Sequence, residues 1–188
     1  MAMKRKAWIV LTACLAAILL AAACLLGWAG RNGIGISEGY YIETLHGHMV
    51  LLNGSPVSVS GKDHLFDGLT TGDRVKLVHG LVAESYPGQT RGYFCTKQED
   101  GSEADIPAQF RASLKTLGWL ALPLNPDEAE ALAHLYTGFA YPIAIVEEDP
   151  QTGDWTVHLR SEDGQQQETV YIGADGQKVT VASGILYR

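Results

Sequence analysis

From Ala7 to Gly30 the chain runs for 24 residues without a charge (AWIVLTACLAAILLAAACLLGWAG), and no other stretch constrains the fold as strongly. As a helix rising about 1.5 Å per residue it would be roughly 36 Å long, against about 30 Å for the hydrocarbon core of a bilayer. A helix in a soluble core keeps a polar face over such a distance. Lys4, Arg5 and Lys6 precede the run, and Trp8 and Trp28 mark its edges. The positive-inside rule and the aromatic belt then predict a retained transmembrane signal-anchor over residues 1–30. The expectation is a single-pass cell-membrane protein whose C-terminal domain is extracytoplasmic. Two other fates compete for the same residues. Gly27-Trp28-Ala29 and Ala21-Ala22-Ala23 are small-x-small sites at which a signal peptide is cut, and Cys14 and Cys24 are lipidation candidates. The run is longer than the usual apolar core of a signal peptide, about 7 to 15 residues, which favours retention.

Beyond residue 30, all 21 acidic residues and 11 of the 14 basic ones remain, so this part carries 11 − 21 = −10. An acidic surface of that size argues against nucleic acid as a partner, because phosphate neutralisation needs a basic face. Cys95 is the one cysteine outside the apolar run. No intrachain disulfide can form there, and stability must come from an ordinary core.

Residues 31–38 are glycine-rich and read as a linker. A β-rich unit follows over 39–100. Tyr40 to Leu45, Met49 to Leu52 and Ser55 to Ser60 are short apolar or alternating runs, and Asn53-Gly54 supplies the positive φ of a tight hairpin. Arg74 to His79 alternates, Leu81 to Ala83 continues extended, and Pro87-Gly88 breaks the ladder before a last strand at Tyr93 to Thr96. That many short strands in so short a span point to a small curled sheet or barrel.

Gly72-Asp73-x-Val75-x-Leu77 followed by Glu84-Ser85-Tyr86-Pro87 resembles a small domain of unknown function found in secreted and membrane-anchored proteins of Gram-positive bacteria. The resemblance covers about residues 39–96. It implies an OB-like barrel and no reaction.

After Gly101-Ser102 the apolar period becomes helical. Asp105-Ile106-Pro107 opens a helix with Phe110, Leu114 and Leu117 on one stripe, ending at Gly118. Asn125-Pro126-Asp127-Glu128 is a strong second start, with Asn as N-cap, Pro in the first turn and acids at the positive helix end. Ala129, Leu132, Ala133 and Tyr136 form its stripe, and Gly138 closes it. Strands at Tyr141 to Val146, Trp155 to Ser161, Thr169 to Ile172 and Val179 to Ala182 make an antiparallel meander. Helix and meander together faintly resemble extracytoplasmic PepSY-type modules. The expected fold class is therefore a single-pass membrane anchor plus a mainly β (α+β) ectodomain. That ectodomain is a small OB-like β-barrel followed by a helix-plus-antiparallel-meander module over 105–188.

Candidate chemistry is sparse. His46-x-His48 has a zinc-like spacing, but no third ligand is set by the pattern, and exposed turn histidines are the simpler reading. Ser85 lacks a nucleophile elbow, and the acids near Glu147 lack calcium-loop spacing. No catalytic residue, metal ligand or cofactor is assigned. The binding residues singled out are Glu84, Ser85 and Tyr86, a carboxylate, a hydroxyl and a phenol on a loop stiffened by Pro87. The function expected is a membrane-tethered, non-enzymatic extracytoplasmic module. Its partners would be the membrane through the N-terminal helix, and an envelope protein or small ligand. An envelope enzyme with its site between the two halves is one alternative, and an accessory subunit of a membrane complex is another.

Overall fold

A computed structural model describes residues 18–21, 23, 24, 27, 33–137 and 141–185, with the side chains of 183–185 excepted. Among the described residues from Gly35 on, nine strands and two α-helices follow one another as β1 (Gly35–Thr44), β2 (Gly47–Leu52), β3 (Ser55–Ser60), β4 (Arg74–His79), β5 (Gly88–Glu99), α1 (Ala108–Thr116), α2 (Pro126–Tyr136), β6 (Ile143–Glu148), β7 (Trp155–Arg160), β8 (Gln166–Ile172) and β9 (Val179–Ile185).

The first five strands close a barrel in the order β1-β2-β3-β5-β4. Four of its ladders are antiparallel, β4 returning to β1 among them, while β3 and β5 run parallel. This order is compatible with the OB type of Greek-key barrel. Tyr41, Val50, Leu52, Val57, Val59, Phe66, Val75 and Leu77 fill the interior. Ile42, Met49 and Leu51 point the other way, and Ile106 and Leu114 cover them. Burial on both faces is why β1 and β2 carry near-continuous apolar runs instead of clean alternation.

The remaining strands form a four-stranded antiparallel sheet in the order β6-β7-β8-β9. Its inner face, with Trp155, Val157, Leu159, Val170 and Ile172, packs on Ala129, Leu132 and Ala133 of α2. Among the described residues no strand of this sheet pairs with the barrel. Helix α1 is shared: Ala112 lies in the sheet's core and Leu114 in the layer on the barrel.

Several expectations are corrected. The reading of residues 1–30 as a transmembrane signal-anchor, and with it the single-pass cell-membrane address of an extracytoplasmic ectodomain, is overturned. Among the described residues no helix is long and apolar enough to cross a membrane. The lipidation candidate Cys14 and the cleavage positions Trp28 and Ala29 lie outside the described residues, and Cys24 is exposed.

The linker expected over 31–38 is strand from Gly35 onward, because Gly35 to Glu38 pair through their backbone with His79 to Lys76. Ladder hydrogen bonds need no particular side chain, so a glycine- and serine-rich stretch can take them. Strand β5 is longer than its apolar centre suggested and starts at Gly88, whose partner is Val57. Pro107 is the N-cap of α1, and Glu103–Asp105 form a separate 3-10 turn. Leu117 and Tyr136, expected on buried stripes, are exposed. Gly138 lies outside the described residues.

Candidate functional site

The Gly-Asp pair that carries the family resemblance turns out to be structural. Asp73 is fully buried, and its carboxylate accepts hydrogen bonds from the Thr70 N–H at 2.8 Å and the Gly101 N–H at 3.0 Å. Lys97 Nζ lies 2.8 Å from it. Burial pushes the carboxyl pKa up, but the Lys97 bond and the two backbone donors outweigh it and hold it at about 2. Gly72 has φ 98°, and a Cβ there would collide with the Ser102 carbonyl. The pair ties the start of β4 to the end of β5.

The loop after β4 holds Glu84, Ser85 and Tyr86, all exposed. Ser85 Oγ donates to the Pro87 carbonyl at 2.8 Å, the turn-capping role open to any serine there. Tyr86 is 60% exposed, so its ring does not plug the core. Replacing Tyr86 with Phe should therefore shift the free energy of unfolding by less than about 0.5 kcal/mol, as for other exposed positions. A loss above about 1 kcal/mol in urea titration would mean that the hydroxyl has a structural partner.

The two histidines of the β1–β2 hairpin diverge. His46 sets its ring edge-on to Trp119, while His48 stacks on Tyr41 and places Nδ1 2.7 Å from the Tyr41 hydroxyl. Burial, helped by Glu43 and Cys95, pushes the Tyr41 hydroxyl up to about 12. Burial likewise raises the Cys95 thiol to about 11, away from the thiolate that reactivity needs. Among the described residues no group of three or more His, Cys, Asp or Glu converges as a metal site would.

The feature with the most chemical potential lies at the opposite end of the barrel from the Glu84 loop. There the end of β1, the Thr71 turn, α1 and the segment 120–123 enclose a cleft of about 540 Å³. Arg111 and Lys115 of α1 reach it, one helical turn apart. Behind them sits Glu128, fully buried at the start of α2. Its Oε2 lies 2.7 Å from Lys115 Nζ and accepts from the Asn125 N–H at 2.9 Å, while the Glu128 N–H donates to Asn125 Oδ1. One carboxylate thus completes the capping box of α2 and neutralises cations of α1.

Arg111 Nε lies 3.2 Å from Glu128 Oε1, yet neither atom makes a hydrogen bond among the described residues. Arg111 Nη1 donates to the Glu103 carbonyl at 2.8 Å, and Lys115 Nζ donates to the Pro123 carbonyl at 3.0 Å. Leu45, Leu120 and Leu122 give the cleft apolar wall, and exposed Glu43 and Glu103 stand at its edge.

Sequence reasoning passed over Arg111 and Lys115, and gave Glu128 only a place in a helix start and Thr71 only a place in a turn. One signal was available. Like charges at i and i+4 repel on a helix by a few tenths of a kcal/mol, so Arg111 and Lys115 gain from an acid on another element. The chain matches no protein-family model, no curated protein and no solved structure, so the resemblance carried by the Gly-Asp and Ser-Tyr-Pro residues rests on those residues alone.

Proposed function

We propose that this chain is a non-enzymatic binding module that takes a small ligand in the cleft where the barrel meets α1. The observation that carries this reading is the cation pair at the cleft, Arg111 and Lys115, backed by a single buried carboxylate. Their summed formal charge with Glu128 is +2 − 1 = +1, held in place by packing instead of by solvent. Polar groups convergent on a concave, partly apolar surface are what a small-molecule site requires. Binding is favoured over catalysis because the lining contains no histidine, cysteine or serine.

The test is a titration of the full chain with a panel of small acids, amines, sugars and nucleotides, read by backbone amide shifts. The expected result is saturable shifts at Leu45, Thr71 and Lys115. A ligand present at about 100 times its Kd should add about 2.7 kcal/mol to the stability. Saturable shifts confined to the Glu84 to Pro87 loop, with the cleft unmoved, would transfer the site to the other end of the barrel.

A further inference from the structure

We propose that the ligand of this cleft is a small monocarboxylate with an apolar body, its carboxylate seated on Arg111 and Lys115. The inference rests on the reading of the cleft as the binding site and adds the ligand's chemical class.

Donor capacity comes first. Arg111 is 7% exposed, and its Nη2 makes no hydrogen bond among the described residues, while Nη1 is engaged by the Glu103 carbonyl. Lys115 Nζ has two acceptors, Pro123 O and Glu128 Oε2, and an ammonium carries three protons. The Thr71 hydroxyl accepts from the Glu43 N–H, and its own proton has no acceptor among the described residues. These unspent donors belong to groups that line one cleft. Planar, two-oxygen anions suit a guanidinium better than spherical ones do.

Charge comes second. A net +1 from the two cations and Glu128 balances one negative charge. Exposed Glu43 and Glu103 at the edge bring the whole site to +2 − 3 = −1. Water screens them more than it does the buried cations, so they oppose one carboxylate weakly and phosphate dianions or polyanions more strongly. The walls supply the rest. Leu45 and Leu122 are exposed and Leu120 is half-buried, leaving apolar surface that an aliphatic ligand body would cover. A cleft of about 540 Å³ is within the usual range of roughly 300 to 1,000 Å³ for small-molecule sites.

The experiment compares three probes on the full chain: N-acetyl-leucine, its neutral amide N-acetyl-leucinamide, and inorganic phosphate. Affinity is read by calorimetry, and position by amide shifts. The carboxylate should bind at least about 10-fold tighter than the amide and than phosphate, with shifts at Leu45 and Thr71. Arg111→Lys keeps the charge opposite Glu128 but removes the fork. It should weaken N-acetyl-leucine about 10-fold and leave the amide unchanged. Should that variant fail to fold, the carboxylate-to-amide ratio of the unmodified chain decides alone. Equal affinities with shifts in the cleft would overturn the carboxylate class and leave the cleft as the site. Phosphate binding as tight as N-acetyl-leucine would overturn the apolar body. No shift at the cleft with any probe would overturn the assignment, and the broad panel then decides the cleft itself.

Discussion

Glu128→Ala should destabilise the fold by about 3–5 kcal/mol, the usual consequence of removing one partner from a buried ion cluster. Glu128 is fully buried and is the acid that faces both Arg111 and Lys115. Without it, two cations on one helical turn are left desolvated beside each other. The Asn125 N–H also loses its acceptor, so α2 loses half of its capping box. Because α1 is packed on both the barrel and the sheet, the loss should appear in both halves at once. A companion variant separates charge from packing. Replacing Arg111, Lys115 and Glu128 together with Met or Leu should recover most of the stability, since apolar side chains of similar volume often substitute for a buried ion triad. Urea titration followed by Trp155 and Trp119 fluorescence is the measurement. A single-variant loss below about 1 kcal/mol would show that water already reaches the cluster.

Asp73→Asn should cost about 2–3 kcal/mol at neutral pH and should flatten the acid limb of the stability curve. The folded carboxyl sits at about 2 against an ordinary value of 3.8, and each unit of that gap is worth about 1.4 kcal/mol. A carboxyl with a depressed folded pKa stabilises fully above its unfolded value. Its contribution is present above about pH 4 and is lost as the pH falls toward about 2. The amide side chain of the variant has no such titration, so the difference in stability between the two proteins should shrink across that window. The variant also leaves Lys97 with one acidic neighbour fewer, Asp100 remaining. Unfolding curves at several values between about pH 2 and pH 7 read the effect. A difference that stays constant across the acid window would mean that Asp73 contributes through hydrogen bonding and not through its charge.

Much of the local structure could be read from the chain. Asn53 and Gly54 adopt φ 49° and 78°, as an Asn-Gly hairpin demands, and β2 and β3 flank them. Asn125, Pro126 and Glu128 begin α2 as their residue types predict, because a capping box is satisfied within a few residues of chain. Apolar alternation in Arg74 to His79 places Val75 and Leu77 inside the barrel. These features depend on near neighbours or on one period of side chains, and both are written in sequence.

The number of short strands pointed to a small barrel, but the pairings that close it were not legible. Closure depends on β4 returning to β1 and on β5 running parallel to β3, and backbone ladders leave little trace in residue type. For the same reason Gly35 to Glu38 looked like linker and are strand. The apolar run at the N-terminus shows the opposite limit. Hydropathy and length predict a span, but a span also needs an unbroken helix, and none of sufficient length is found among the described residues.

The site followed the same division. Glu84, Ser85 and Tyr86 drew attention because they adjoin in sequence, and they stand at the end of the barrel away from the cleft. Arg111 and Glu128 are far apart along the chain and meet only because α1 and α2 pack together. The chain by itself determined where strands, turns and the α2 cap begin. Which charges would be buried together was decided by tertiary packing, since desolvation and ion pairing depend on distance in space and not along the chain.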